Sequence, residues 1–463
     1  MESQTKKEKN VKVLVPVVNT CRFIMALVLM ASGFMKAVDP VGSMYKLREY
    51  SELFSFLSFS DDWLQLFAIL QAVVEFLLGV YMLVGVYRKV ITLVTMLMML
   101  FFTPLTFYIM LEGTVSDCGC FGDAVVLTND ATFYKNLFLL LLSVVVFWGR
   151  KHFVCRISPR TRWVVALFSL LYIIVIQGVS LSSLPVIDFR PYAIGNNLRE
   201  MVQGEPDEYD VLVTYEKNGE QREFNSDNLP DSTWAEIGSR SVLVKEGKPA
   251  LIGDFSIVDW EYDYDITEDV LSDTGYVCLV VIEETGKASV SRVDKINDLY
   301  DHCVDRNIPF YAVSSSSDEE LELWAKRTGA EYPIYWADAT VLRTMVRANP
   351  ALLLLKDGVI AGKWNLSDVP DIESFENSSV GVPGEPHTLL LNMRGWFFWV
   401  GWFFGPLLFI VLLDVLLAKY GKKKKGKTSA KDSAPVEQSK ALEDNTSAQD
   451  NVVVADNDNN KDK

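Results

Sequence analysis

Two cysteines one glycine apart, Cys118 and Cys120 in "SDCGCFGD", are the residues of this chain whose spacing most directly suggests chemistry. A pair this close can close on itself only as a small, strained ring, and strain makes a disulfide easier to reduce. Gly119 supplies the backbone freedom that such a ring needs. The chemistry to expect is thiol–disulfide exchange, a bond made and broken repeatedly. A static disulfide that pins a loop is the competing reading. A metal site is disfavoured, because two cysteines without a nearby histidine leave zinc two ligands short. The flanking residues are acidic (Glu112, Asp117, Asp123), so no adjacent cation is evident to lower a thiol pKa. The 6 cysteines are too few for a disulfide scaffold in 463 residues. Cys278 and Cys303 read as small core residues, with a disulfide between them as the alternative, and Cys21 and Cys155 read as reduced thiols. His152, His302 and His387 are scattered, so no metal site is expected.

The elements that must hold the pair follow from a split composition. Residues 11–184 are rich in Leu, Val, Phe and Met, residues 185–392 resemble an ordinary acidic soluble domain, and residues 428–463 are polar and low in complexity. A net charge of -16 without a basic folded face argues against a nucleic-acid partner. Apolar runs long enough to cross a bilayer are expected at Leu14–Ala37, Trp63–Val86, Val90–Leu111, Phe133–Trp148, Trp163–Leu184 and Trp396–Leu417. The first is too long for a signal peptide and lacks a small-x-small site after it. Lys6, Lys7, Lys9 and Lys12, then Arg88 and Lys89, then "GRKHFVCRISPRTR", then "KYGKKKKGK" all fall on one side of these crossings. The positive-inside rule then makes both termini cytoplasmic and places the cysteine loop and residues 185–392 outside, where disulfides persist. A multi-pass protein of the inner cell membrane is expected. Its parts are an N-terminus (1–12), a membrane domain (13–150), a basic loop (151–162), a fifth helix (163–184), an outer region (185–392), a sixth helix (393–418) and a tail (419–463). The lysine run of that tail suits anionic membrane lipid, and its polar end suits disorder.

"SDCGCFGD" followed by "LTNDATFYKNLFLLLLSVVVF", with "ASGFMKAVDP" and "VEFLLGVYMLVGVY" upstream, resembles the MauE (methylamine utilisation) branch of the DoxX-like four-helix membrane proteins, over about residues 10–150. The resemblance implies a membrane partner of extracytoplasmic thiol chemistry, with Cys118 and Cys120 as the redox pair and a membrane quinone as electron acceptor. The methylamine-utilisation member works beside a thioredoxin-like protein in disulfide formation, and DoxX is linked to a thiosulfate:quinone oxidoreductase.

Ionisable groups inside spans are costly and point inward. Arg22 lies ten residues past Lys12, roughly 15 Å along a helix, and Glu75 thirteen residues before Arg88, roughly 20 Å. The two are expected to pair in the bundle interior, either to set helix register or with a proton or quinone role for Glu75. Asp414 is expected to snorkel to water and receives no role.

Beyond the fifth span, "YDVLVTYEKNGEQREF" reads as a hairpin turning at Asn218-Gly219, within a β-rich extension over residues 185–250. Phe189, Arg190 and Tyr192 suit either a groove or a packed collar near the membrane. Over residues 251–392, "YVCLVVIEE", "IPFYAVSSS", "YPIYWA" and "NPALLLLKDGVIAGKWN" read as strands. Helices at "SRVDKINDLYDHCVDRN", "SDEELELWAKRTGA" and "DATVLRTMVRA" separate them. The alternation predicts a mixed sheet covered on both faces. Over about residues 250–365 it resembles a thioredoxin-like domain of the peroxiredoxin and thiol-reductase type, with Asn349-Pro350 at that fold's cis-proline position. The family's CxxC is missing, since "EETGKASVSRV" carries no cysteine where it belongs. The expected fold class is therefore a membrane α-helical protein: a four-helix DoxX/MauE-like bundle, two further transmembrane helices and an extracytoplasmic α/β thioredoxin-like domain without redox residues.

Three functions fit. In the first, Cys118 and Cys120 exchange with an extracytoplasmic thiol protein or small sulfur compound and pass electrons to a quinone. In the second, a non-enzymatic scaffold docks an exported partner. In the third, the chain is a subunit of a thiosulfate:quinone-type oxidoreductase.

Overall fold

The computed structural model describes residues 2–432 apart from 54–58, 114–118, 156, 183, 205–207, 218, 226–229, 232, 246, 248–249, 254, 260–261 and 370–386, with backbone alone for 2–13, 387–394 and 421–432. Among the described residues, six helices are long and apolar enough to cross a membrane, over Leu14–Val38, Asp61–Val84, Arg88–Glu112, Asn129–His152, Arg162–Ser182 and Gly395–Tyr420. These are the spans expected from the apolar runs. The fourth is longer than its apolar core because a Thr128 cap starts its helix early, accepting from the Ala131 N–H.

The first helix, α1 (Glu2–Val38), is followed by a shorter one, α2 (Pro40–Leu53), that does not cross. The next two crossings are α3 (Asp61–Val84) and α4 (Arg88–Glu112). Then come a short strand β1 (Cys120–Asp123) and α5 (Asn129–Gly149). α1 and α3 touch backbone to backbone. A Cβ added at Gly33 would lie 2.3 Å from the Phe76 nitrogen, and one at Gly79 would lie 2.5 Å from the Met30 nitrogen. Small residues at such crossings let membrane helices approach closely, and here they lock the antiparallel register at 33 against 76 and 30 against 79.

The fifth span, α6 (Arg162–Ser182), packs with the last helix against α3 through a cluster of rings. Phe76 stacks on Tyr172 and meets Phe403 edge-on at 5.1 Å, and the Tyr172 hydroxyl donates to the Trp399 carbonyl at 2.7 Å. Asp414 does not snorkel. It is buried, and accepts hydrogen bonds from the Ser158 N–H (2.7 Å), the Ser158 hydroxyl (2.6 Å) and the Thr161 hydroxyl (2.5 Å). Donors from the loop before α6 thus solvate the carboxylate.

Outside the bundle, α7 (Leu198–Gln203) precedes a three-stranded sheet of order β3-β2-β4, made of β2 (Glu208–Lys217), β3 (Glu220–Asn225) and β4 (Ala235–Lys245). β2 and β3 pair antiparallel up to Lys217 opposite Glu220, with Gly219 at φ +83° in the turn; Asn218 lies outside the described residues. Arg190 and Tyr192 are buried, and Arg190 grips Asp188 through Nε and Nη2 and the Thr344 carbonyl through Nη1. They form a packed collar.

A seven-stranded mixed sheet follows, built from β5 (Val258–Asp259), β6 (Tyr264–Asp265), β7 (Tyr276–Ile282), β8 (Phe310–Ser314), β9 (Ile334–Trp336), β10 (Ala351–Lys356) and β11 (Val359–Asn365). Its order is β11-β10-β7-β8-β9-β5-β6, with β7, β8 and β9 parallel, and β10 antiparallel to both β7 and β11. The helices between the strands are α8 (Thr267–Ser272), α9 (Asp294–Asp305), α10 (Asp318–Thr328) and α11 (Ala339–Met345). β7 is apolar on both faces, as a strand covered twice must be. Val277, Leu279 and Val281 face one core with Leu342, while Cys278, Val280 and Ile282 face another with Leu299 and Trp324. α10 starts in the capping box at Ser317 and Glu320 and ends at Gly329. The Cys278 and Cys303 sulfurs lie 3.7 Å apart as buried thiols. The last helix is α12 (His387–Asp432).

Candidate functional site

The cysteine end of the bundle holds a cavity of about 710 Å³. Helices α1 to α5 all contribute to its wall, and most of the lining is apolar: Leu29, Phe67, Met99 and Phe102 are typical. One polar group on the wall joins Ser32, Lys36, Gln71 and Glu75, next to Cys120; Lys46, Lys135 and Asn136 are further polar lining residues.

Glu75 does not pair with Arg22. Lys36 holds it instead, with Nζ 2.7 Å from each carboxylate oxygen and both side chains buried. Gln71 Nε2 donates to the same carboxylate at 3.0 Å. The reason is register. With Gly33 against Phe76, Glu75 faces the C-terminal third of α1, whereas Arg22 lies beside Gly85, the C-cap of α3. There its guanidinium donates to the Val154 carbonyl (3.2 Å) and covers the Phe153 ring. α1 begins at Glu2, so counting depth from Lys12 put Arg22 too far into the bundle. Lys36 was hidden in plain view as a charge near a span end. Only the facing of α1 on α3 shows that it turns inward.

Ser32 joins this pair to the cysteine loop. Its hydroxyl oxygen lies 2.6 Å from Glu75 Oε2 and 2.6 Å from the Cys120 carbonyl, and accepts from Lys36 Nζ at 3.3 Å. A hydroxyl has one proton, so at any moment it serves one of those two acceptors. Cys120 is half-buried and lines the cavity, and Cys118 lies outside the described residues. The acidic sequence neighbours gave no cation, yet the fold supplies three that line the cavity with Cys120: Lys36, Lys46 and Lys135.

The seven-stranded sheet sits on this same end. Arg347, immediately before the loop to β10, donates to Asp39 from Nε (3.1 and 3.0 Å) and Nη2 (2.9 Å), and reaches Asp123 from Nη2 at 2.9 Å. Asp39 follows the end of α1 and Asp123 closes β1, so one buried guanidinium ties the sheet to the α1–α2 junction and to the strand that carries Cys120. Beside it the Tyr45 ring on α2 is covered by Arg343 and Arg347, and its hydroxyl lies 3.4 Å from Glu283, which also pairs with Arg343 at 2.5 Å. Glu283 and Glu284 stand just past the end of β7. The Asn349-Pro350 peptide is cis, and Asn349 Nδ2 donates to the Glu284 carbonyl at 2.9 Å. Pro350 stands just before β10 and is not among the residues lining the cavity.

The two carboxylates around Arg347 are unlike. Burial works against the ionised form of Asp39, but the charges of Arg347 and Arg190, with hydrogen bonds from Arg347 and the Gly42 N–H, outweigh it and hold the carboxyl below its usual value. At Asp123 burial dominates, Arg347 offsets only part of it and Asp39 adds to it, so that carboxyl is pushed up. One cation serves two acids, and Asp39 has the larger share.

Residues 209–246, the three-stranded sheet, match the model of a domain of unknown function, DUF8463. No curated protein and no solved structure matches the chain. Residues 14–149, which hold the cavity, Cys120 and the Lys36–Glu75 pair, match the family of the methylamine utilisation protein MauE, so this multi-pass membrane chain carries a MauE-type helical region.

Proposed function

We propose that the chain carries electrons from an extracytoplasmic thiol, on a protein or a small sulfur compound, through Cys118 and Cys120 to a membrane quinone. The observation that carries this reading is the place of Cys120, on the wall of an apolar cavity whose polar corner is the Lys36–Glu75 pair. A flat, largely apolar ring with two carbonyl oxygens suits a mostly apolar pocket with a few polar donors on its wall. The balance is simple. A partner dithiol gives two electrons and two protons as its disulfide forms, the Cys118–Cys120 disulfide is reduced and then re-formed, and the quinone leaves as quinol. Both termini are read as cytoplasmic, because the basic loops lie at the bundle end away from the cysteine loop and the sheet. The outer sheet is read as thioredoxin-like. Its order β11-β10-β7-β8, with β10 alone antiparallel to its neighbours β11 and β7 and to β8, and the proline before β10 support that reading. Without cysteine after β7, it holds or recognises a partner and does no redox chemistry itself.

The test is thiol trapping in membranes. After reduction, adding a short-chain quinone should re-form the Cys118–Cys120 disulfide, read as loss of alkylation at both positions, and Cys120→Ser should abolish this and accumulate a mixed disulfide on Cys118. A pair that keeps one state under reducing and oxidising conditions would transfer the argument to the scaffold reading, which the Arg347 clamp favours.

A further inference from the structure

The residue missing from a sequence-based view of the cysteine loop is its cation. Lys46 on α2 supplies it. The Lys46 stem lies across Gly119: a Cβ there would be 3.0 Å from Lys46 Cγ and 3.5 Å from Cδ, and the residue has φ +57°. A side chain at position 119 would thus collide with the lysine as well as strain the backbone. The ammonium is two bonds beyond Cδ, and the Cys120 Cα is one peptide, about 3.8 Å, from that of Gly119. Lys46 and Cys120 line the same cavity.

The other described charges facing this spot have contacts of their own. Lys36 is matched by Glu75 at 2.7 Å from both oxygens. Asp123 is held by Arg347, and Lys135 stands over the Phe121 ring at 4.7 Å. α4 brings apolar side chains and Thr106 to the cavity, with Glu112 exposed at its end, and Asp117 lies outside the described residues. Lys46 pairs with Glu49 at 3.1 Å and its charge also acts on Asp123; the Glu49 side chain is 44% exposed against 19% for Lys46. Water screens the exposed acid more than the better-buried base.

We propose that Lys46 is the positioning residue of the exchange reaction: it stabilises Cys120 as a thiolate. This rests on the redox reading above. When a partner thiolate attacks the Cys118 sulfur, a mixed disulfide forms, the Cys118–Cys120 bond breaks, and the electron pair departs on Cys120. A thiolate that faces a cation is a better leaving group.

The experiment uses the full-length protein in membranes, reduced chemically, with iodoacetamide alkylation of Cys120 followed site by site by mass spectrometry over a pH series. Lys46→Met keeps the stem on Gly119 and removes the charge. Its alkylation at neutral pH should slow by about three- to tenfold, with the profile displaced to higher pH. Lys46→Arg should restore the wild-type profile, and Glu49→Gln, which frees the lysine, should speed alkylation. An unchanged profile in Lys46→Met, or a loss that Lys46→Arg shares, overturns the proposal. If Lys46→Met fails to fold, Glu49→Gln decides alone: an unchanged or slower rate there also overturns it. Alkylation of a chemically reduced thiol does not require the pair to cycle in cells, so a pair that never cycles sinks the exchange reading and leaves this measurement standing on its own.

Discussion

Residues with opposite fates sit a few positions apart at the cysteine end. Lys36 and Glu75 are a buried ion pair, and such pairs are costly to break from one side because the survivor keeps its desolvation penalty. Lys36→Met should destabilise the bundle by about 3–5 kcal/mol, whereas Lys36→Met with Glu75→Leu should recover most of that loss; thermal unfolding of the three proteins in detergent measures both. Asp39 and Asp123 should differ in sign. Asp39, lowered on folding, contributes stability above the ordinary carboxylate value, and that contribution is lost as pH falls through its folded value. Asp123, raised on folding, contributes at acid pH and loses the contribution as pH rises through its folded value. At neutral pH, Asp39→Asn should lower the Tm, and Asp123→Asn should leave it unchanged or raise it. At this scale the sequence was only partly legible. Cys118-Gly119-Cys120 announces itself by spacing, and Glu75 by its depth in an apolar run. Ser32, Lys36, Asp39 and Arg347 do not, because their roles depend on which way a helix faces and on contacts as distant as Arg347 to Asp39.

At the scale of elements, hydropathy and punctuation were sufficient for the six spans and for the strands and helices from β7 to β11, since length, apolar runs and caps are local properties. α2 escaped notice because its residues are of mixed polarity, as suits a short helix that lies on a bundle instead of crossing with it. It is nevertheless the element that brings Tyr45 to the sheet and Lys46 to Gly119. The pairing of α1 with α3 was also out of reach, because register is set by close approach, not by depth counting. Gly33→Leu should wedge those helices apart at a contact of 2.3 Å to backbone, at a cost of about 1–3 kcal/mol or more. Loss of the Lys36–Glu75 contact, read as lowered thermal stability no longer sensitive to Glu75→Gln, would report it.

For the whole molecule, the orientation of the bundle determines which compartment meets the cysteines. A membrane-impermeant maleimide applied to intact cells after reduction should label Cys120 and spare Cys155, which lies at the basic end of the bundle; the reverse pattern would invert the topology. Arg347→Ala should release the sheet from the loop and raise the labelling rate of Cys120 several-fold, since Asp39 and Asp123 would lose their shared partner.

The Asp414 contacts with Ser158 and Thr161 have a mechanical corollary. They fasten α12 beside the start of α6, and the chain enters the outer sheet from α6 and leaves it into α12. The sheet is therefore tethered by two legs planted together, like a basket on a single post. Such a leash keeps the effective concentration of Arg347 at the cysteine end near the millimolar range of short linkers. Even a weak grip would keep the basket closed most of the time, and a competing partner in solution would have to outbid proximity as well as affinity.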